Sequence, residues 1–305
     1  MAAIEVESLT VRYGDVVAVD GLGFTAEAGR VTCVLGPNGA GKTSTIECLE
    51  GLRRRAAGRV AVLGFDPERA HRALTRRIGV MLQEGGVHPA VRPLEVLRHA
   101  AALYPHPLDP AGLIERLGLT GRERRTWRQL SGGEQRRLAL GLALVGRPDV
   151  AFLDEPTAGV DPAGRQVIRE VIAGLRAGGV AVLLTTHDLN EAERVADDVV
   201  VVDRARLVAS GPLAELMAAP GGGDRVRFSA PPGIDVGALA ARLGGVAVRE
   251  TDPGRYEVAA APTPATVAAL TAWLAECDLP LADLQAGRQR LEDVFLRLTS
   301  PSGAS

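Results

Sequence analysis

Gly36-Pro37-Asn38-Gly39-Ala40-Gly41-Lys42-Thr43 is the stretch on which the fold turns. It stands at the end of an apolar run, Val31-Thr32-Cys33-Val34-Leu35, and opens a segment of helix-forming residues over 42–52. A buried strand that stops at a glycine and restarts as a helix is the setting in which G-x-x-x-x-G-K-[ST] holds phosphate. The glycines let backbone N–H groups turn inward with no Cβ in the way, and the helix aims the positive end of its dipole at the same anion. Lys42 is placed to reach the β- and γ-phosphates of a nucleotide, and the Thr43 hydroxyl to take a position on Mg2+. Of 35 basic residues Lys42 is the only lysine; the other 34 are arginine. A compact ammonium enters a tight loop that a planar guanidinium cannot. Lysine survives where arginine fails.

Outward from the loop, residues 4–12 and 16–25 alternate apolar and polar as half-exposed strands do. Residues 78–82 form another short apolar run, ending at Gln83. Residues 150–153, 180–184 and 199–202 read as buried strands, each separated from the next by helical sequence. Strand and helix in such alternation predict an α/β fold with a mainly parallel sheet. Between about 84 and 146, Ala, Leu and Arg dominate and prolines interrupt, which predicts a mostly helical insertion. Arg53 to Arg55 are expected to sit at the C-terminal end of the loop's helix, where cations suit the dipole. The stretch 219–223, Ala-Pro-Gly-Gly-Gly, reads as a linker. It would divide a large domain, 1–218, from a small one, 224–300. In the small domain, strands at 225–228, 246–250, 256–259 and 280–284 with helices at 236–243 and 266–276 give a βαββαβ order. That order is ferredoxin-like, with 291–298 as a closing helix.

Two further motifs carry chemistry. Phe152-Leu153-Asp154-Glu155 ends an apolar strand with two acids, and successive strand residues point opposite ways, so the two carboxylates can serve different tasks. Asp154 is expected to hold Mg2+ through water and Glu155 to act as general base on an attacking water. Leu130-Ser131-Gly132-Gly133-Glu134-Gln135 precedes a helix that Ser131 caps, with Gly132 and Gly133 exposing N–H groups: a second anion site. One nucleotide needs one cradle, so the second suggests that another copy brings its Ser131 to the far side of the phosphates.

Composition narrows the partners. The 305 residues carry a net charge of −2, which gives no global case for nucleic acid. At 46% hydrophobic the chain can pack a core, yet no uninterrupted apolar run approaches the about 20 residues of a membrane-spanning helix. No basic-then-apolar leader opens the sequence. Cys33, Cys48 and Cys277 have no metal-type spacing and read as buried small hydrophobes of a reducing cytoplasm.

Taken together, the phosphate loop, Leu130-Ser131-Gly132-Gly133-Glu134-Gln135-Arg136-Arg137 and Phe152-Leu153-Asp154-Glu155-Pro156-Thr157-Ala158-Gly159-Val160-Asp161-Pro162 resemble the nucleotide-binding subunits of ABC transporters. The resemblance covers about residues 4–216 and implies a P-loop NTPase cassette with antiparallel N-terminal strands and a helical subdomain, binding ATP and Mg2+ as a homodimer or beside a related cassette. It implies that Tyr13 stacks on adenine and that residues 36–44, through Ser44, cradle the phosphates. It further implies that Gln83 contacts Mg2+ and the water, that His187 contacts the γ-phosphate, and that Ser131, Gly132, Gly133 and Glu134 act across the dimer, where Asp161 lies in an interface loop. Valine at 160 departs from the more usual leucine. His71, His88, His99 and His106 have no comparable setting and read as surface residues. The tail, Leu291-Glu292-Asp293-Val294-Phe295-Leu296, resembles drug-resistance and polysaccharide or lipid exporters, whose permease is a separate chain. This implies a cassette held at the inner face of the cell membrane by its permease. The alternative is a soluble ABC ATPase with a role such as cluster assembly, which gives no reason for the small domain.

Overall fold

The structure, a computed structural model, describes residues 2–82, 86–218, 225–287 and 290–299. Contacts divide the chain into two units, Met1–Leu213 and Ala214–Ser305. The expected linker at 219–223 lies outside the described residues.

In the first unit, β1 (Ala2–Tyr13), β2 (Val16–Glu27) and β4 (Ala57–Val62) form an antiparallel sheet in the order β2-β1-β4. A six-stranded sheet runs β5-β6-β7-β3-β8-β9, built from β3 (Val31–Leu35), β5 (Ile78–Met81), β6 (Val150–Asp154), β7 (Ala181–Thr186), β8 (Asp198–Asp203) and β9 (Arg206–Pro212). Its first five strands are parallel and β9 turns back antiparallel on β8. The five residues of β3 and of β6 are all buried, the continuous apolar pattern that covering on both faces demands. Alternate residues divide between the faces: Val34, Phe152, Leu183 and Val200 share one core with the three-stranded sheet and with Ile46 and Leu49 of α1 (Lys42–Leu49). The helices α2 (His71–Leu74), α3 (Pro93–Ala101), α4 (Pro110–Arg116), α5 (Gly132–Leu144), α6 (Pro162–Ala177), α7 (Leu189–Val195) and α8 (Leu213–Ala218) complete the α elements up to residue 218. Of these, α3, α4 and α5 belong to the helical insertion. Because β6, β7 and β3 are neighbours, the segments leaving their C-terminal ends share one edge of the sheet, the place where open α/β sheets bind ligands.

The expected arginine-rich end of the first helix is not observed. α1 stops at Leu49, and Gly51 turns the chain with φ +75° where a Cβ would come within 2.6 Å of the Pro67 carbonyl oxygen. Arg53 to Arg55 therefore lie beyond the helix: Arg53 pairs with Glu47 and Arg55 with Asp66. Among the cysteines, Cys33 and Cys48 are buried as expected, and burial pushes the Cys48 thiol up to about 11. Cys277 is exposed instead, because it sits at the C-terminal cap of a surface helix.

The second unit pairs β10 (Arg225–Ser229), β11 (Val248–Asp252), β12 (Arg255–Val258) and β13 (Ala282–Gly287) in the order β11-β12-β10-β13, all antiparallel. With α9 (Val236–Arg242) and α10 (Pro264–Glu276) this is the ferredoxin-like order. Val226, Phe228, Tyr256 and Val258 meet Leu239, Leu270, Trp273 and Leu274 of the two helices in a separate core. The alternate residues of the same strands are charged. Glu257, buried, accepts from Arg225 and from Arg227, and Arg227 also donates to Asp293 of α11 (Leu291–Thr299).

Candidate active site

The phosphate loop is pressed against the backbones of β8 and β2. A Cβ on Gly36 would stand 2.2 Å from the carbonyl oxygen of Val202, and one on Gly41, whose φ is +100°, would stand 2.3 Å from that of Ala18. Both positions bring two backbones together in a way that any side chain would prevent. Inside the loop the buried Lys42 ammonium donates to the carbonyl oxygens of Gly36 (2.8 Å) and Pro37 (3.1 Å). Desolvation pulls its pKa below the ordinary lysine range, and the Glu155 and Asp154 carboxylates work against that fall. A cavity of about 430 Å³ is lined by Ala18, Asn38, Gly39, Gly41, Lys42, Thr43, Ser44, Asp154 and Glu155. The loop and the two acids, far apart in sequence, therefore share one chamber.

The two acids line the same cavity rather than opposite faces of the strand, but they take different partners. β6 ends at Asp154, and Glu155 has φ +50°, so the chain kinks left-handed between them. A non-glycine residue held there is a strained backbone that its surroundings must enforce. Thr185 of β7 supplies part of that enforcement: its hydroxyl donates to Asp154 Oδ1 and accepts from the Glu155 N–H at 3.1 Å. Glu155 is 7% exposed, and its two carboxylate oxygens each lie 2.9 Å from Nδ1 of His187, whose side chain is 63% exposed. Sequence reading missed Thr185. The available signal was a pair of threonines, Thr185-Thr186, closing an otherwise apolar strand just ahead of His187.

Beneath the site lies a second residue that the sequence did not flag. Glu50 is 3% exposed, and its Oε2 has no hydrogen-bond partner. Burial pushes its carboxyl up to about 8, with the Asp154 and Glu47 charges adding to the shift. Unfolded, the same group titrates near 4.5, so the folded chain holds this proton through the interval between the two values. Stability linked to Glu50 is therefore full below about pH 4.5, declines as pH rises, and levels off above about 8. Glu50→Gln removes that decline. Denaturant melts are expected to show the variant gaining on the wild-type chain by on the order of 3 kcal/mol between pH 5 and pH 8.5; parallel pH profiles would contradict the upward shift of the buried carboxyl.

Tyr13, 43% exposed at the end of β1, hydrogen-bonds through its hydroxyl to Ser44 Oγ at 3.0 Å. It thus stands beside the first turn of α1, although it lies outside the lining of the cavity. Ser131 caps α5: its Oγ accepts from the Glu134 N–H at 3.2 Å and its own N–H donates to Glu134 Oε2 at 2.8 Å, a reciprocal capping box. Arg122 pairs with the other Glu134 oxygen at 2.5 Å. Asp161 caps α6 and lies next to this helix start, since a Cβ on Gly133 would stand 3.2 Å from its Oδ1. Buried Val160 packs there too, its Cγ1 within 2.6 Å of the Cβ position of Gly164. Ser131, Gly132, Gly133, Glu134 and Asp161 form one cluster, and none of them lines the phosphate-loop cavity. Gln83 lies outside the described residues. His71, His88, His99 and His106 are exposed and away from the cavity, as expected.

Among the described residues, no group of three or more His, Cys, Asp or Glu side chains could hold a metal by itself. The oxygen donors present, the exposed Thr43 hydroxyl and the Asp154 carboxylate, suit a hard cation that takes its remaining ligands from phosphate and water. No helix among them is long and apolar enough to cross a membrane.

Comparison with known proteins agrees with this construction. Residues 19–158 match the family model described as ABC transporter. The chain is 38% identical to the daunorubicin resistance ATP-binding protein DrrA3 of Streptomyces coeruleorubidus over 97% of its own length and 96% of that protein. It is 37% identical to the Nod factor export ATP-binding protein I of Ralstonia nicotianae, over 97% and 93%. A solved structure of the ATP-binding subunit of an ABC transporter superposes with TM-score 0.65 at 26% identity, covering 71% of this chain and 92% of that one. The two sequence relatives span the small domain as well as the cassette, whereas the solved structure covers 71% of the chain. The chain belongs to the ABC transporter family, as an ATP-binding and ATP-hydrolysing subunit of the exporter type.

Proposed function

We propose that the chain pairs head to tail with a second copy, or with a related cassette, closes around Mg-ATP, and drives export through a separate membrane permease. Residues 36–44 cradle the triphosphate, with Lys42 on the β- and γ-phosphates and Tyr13 stacked on adenine. Thr43 and Asp154, the latter through water, would hold Mg2+, which neutralises the charge that develops on the phosphates. Glu155 takes the proton of the attacking water as that water bonds to the γ-phosphorus and ADP leaves. His187 contacts the γ-phosphate and steadies the base. Gln83 completes the contacts to the metal and the water. Ser131, Gly132, Gly133 and Glu134 of the mate close the far side, with Asp161 at the interface.

The make-up of the cavity supports this pairing above any other observation. One anion-binding helix start lines it, while the second, capped by Ser131, is packed with Asp161 elsewhere on the cassette. A second molecule supplies what the first leaves open. Closure and release then pass through the helical insertion to the permease, and the chain works at the cytoplasmic face of the membrane without nucleic acid.

Affinity purification of the tagged chain from detergent-solubilised membranes tests the transport role. The expected companion is a polypeptide with about six hydrophobic spans, each near about 20 residues. Recovery of the chain entirely from the soluble fraction, with no such companion, would overturn it.

A further inference from the structure

The loop that carries Arg53 folds back along α1 and lays this side chain on the ring of Tyr13. The guanidinium carbon stands 4.2 Å from the ring centroid, within the range of a cation–π contact. Arg53 is itself fixed from behind, because its Nε donates to Glu47 Oε2 at 2.5 Å. Glu47 and Ser44 lie three residues apart, one turn of the same helix, and Ser44 Oγ is the atom bonded to the tyrosine hydroxyl. Four side chains thus make one chain of contacts, Ser44 to Tyr13 to Arg53 to Glu47, anchored at both ends on α1.

Two consequences follow from elementary physics. The ring has lost its freedom to swing, with its hydroxyl pinned at one end and one face covered. The uncovered face also changes character: a cation against one side draws π-density toward itself, leaving the opposite side less negative and a better stacking partner for an electron-rich purine. Because the guanidinium is ion-paired to Glu47, it stays in place when a base arrives.

We propose that Arg53, clamped by Glu47, is a positioning residue for base recognition: it backs Tyr13 so that the exposed face of the ring takes the adenine of ATP. This rests on the reading of Tyr13 as the adenine platform. Arg53 lies outside the lining of the phosphate-loop cavity, so its contribution belongs to nucleotide affinity and not to the chemical step.

The test compares ATP with inorganic tripolyphosphate, which has no base, on the full chain carrying Arg53→Gln, Glu47→Gln, Tyr13→Ala or Arg53→Gln with Tyr13→Ala. Arg53→Gln is expected to raise the Kd and KM for ATP roughly three- to ten-fold while leaving kcat and tripolyphosphate affinity as in the wild type. Glu47→Gln, which frees the arginine, should move ATP affinity in the same direction by less. In the Tyr13→Ala background the arginine substitution should add nothing, since its effect passes through the ring. If Tyr13→Ala weakens ATP but Arg53→Gln binds it as well as or better than wild type, the arginine is no support and the inference falls alone. An equal loss for tripolyphosphate would make Arg53 a structural prop of the loop and overturn it likewise. Should Tyr13→Ala bind ATP unchanged, the adenine platform itself falls and the inference with it.

Discussion

Glu155→Gln is expected to bind ATP with near wild-type affinity and to hydrolyse it at least about a thousand-fold more slowly, within the range that a positioned general base contributes. The amide matches the carboxylate in size and can still hydrogen-bond the His187 ring 2.9 Å away, so the kink at φ +50° and the Thr185 bridge persist. What disappears is the group able to take a proton from water. With closure intact and hydrolysis blocked, the nucleotide-loaded pair accumulates, visible as a dimer by size-exclusion chromatography in Mg-ATP. Adding Ser131→Arg to this variant should return it to monomer, because under the proposed pairing the bulk falls on the face turned to the mate's nucleotide. An active Glu155→Gln that stays monomeric in ATP would remove both the base and the pairing.

Gly36→Ala is expected to damage both the fold of the cassette and its hold on nucleotide. The added carbon would stand 2.2 Å from the Val202 carbonyl oxygen, a main-chain atom of β8, and 3.1 Å from the Ala40 side chain. Neither the strand nor the loop can give way cheaply, so we expect a loss of about 2 kcal/mol in urea melts. An ATP affinity reduced by more than about ten-fold should accompany it, since the displaced N–H groups no longer converge. Gly39→Ala is the control. Its Cβ would meet nothing within 4 Å and only the φ of +82° is strained, at about 1 kcal/mol, with a smaller loss of binding. A Gly36→Ala chain as stable and as avid as wild type would show that the close approach is not required.

Much of this is legible in the sequence. The phosphate loop was readable because its glycines, lysine and flanking strand are local, and the buried strands because their apolar runs are bounded by turns. β4 and β9 escaped. Ala57–Val62 opens with exposed Ala, Gly and Arg and buries only its second half, while Arg206–Pro212 has no buried residue, so neither shows the pattern of a core strand. The left-handed kink that gives Glu155 and Asp154 different partners within one cavity is not displayed by the sequence, since Thr185 enforces it from another strand. Glu50 and Arg53 illustrate the same limit. A glutamate followed by Gly-Leu-Arg-Arg-Arg reads as a solvated helix end, and only the tertiary packing shows that the Glu50 carboxyl is buried and that one of the arginines lies on an aromatic ring.

The hold of Lys42 on the carbonyl oxygens of Gly36 and Pro37 has one further consequence. An arriving triphosphate exchanges hydrogen-bond acceptors on a side chain whose rotamers are already frozen, so little disorder is surrendered at the moment of capture.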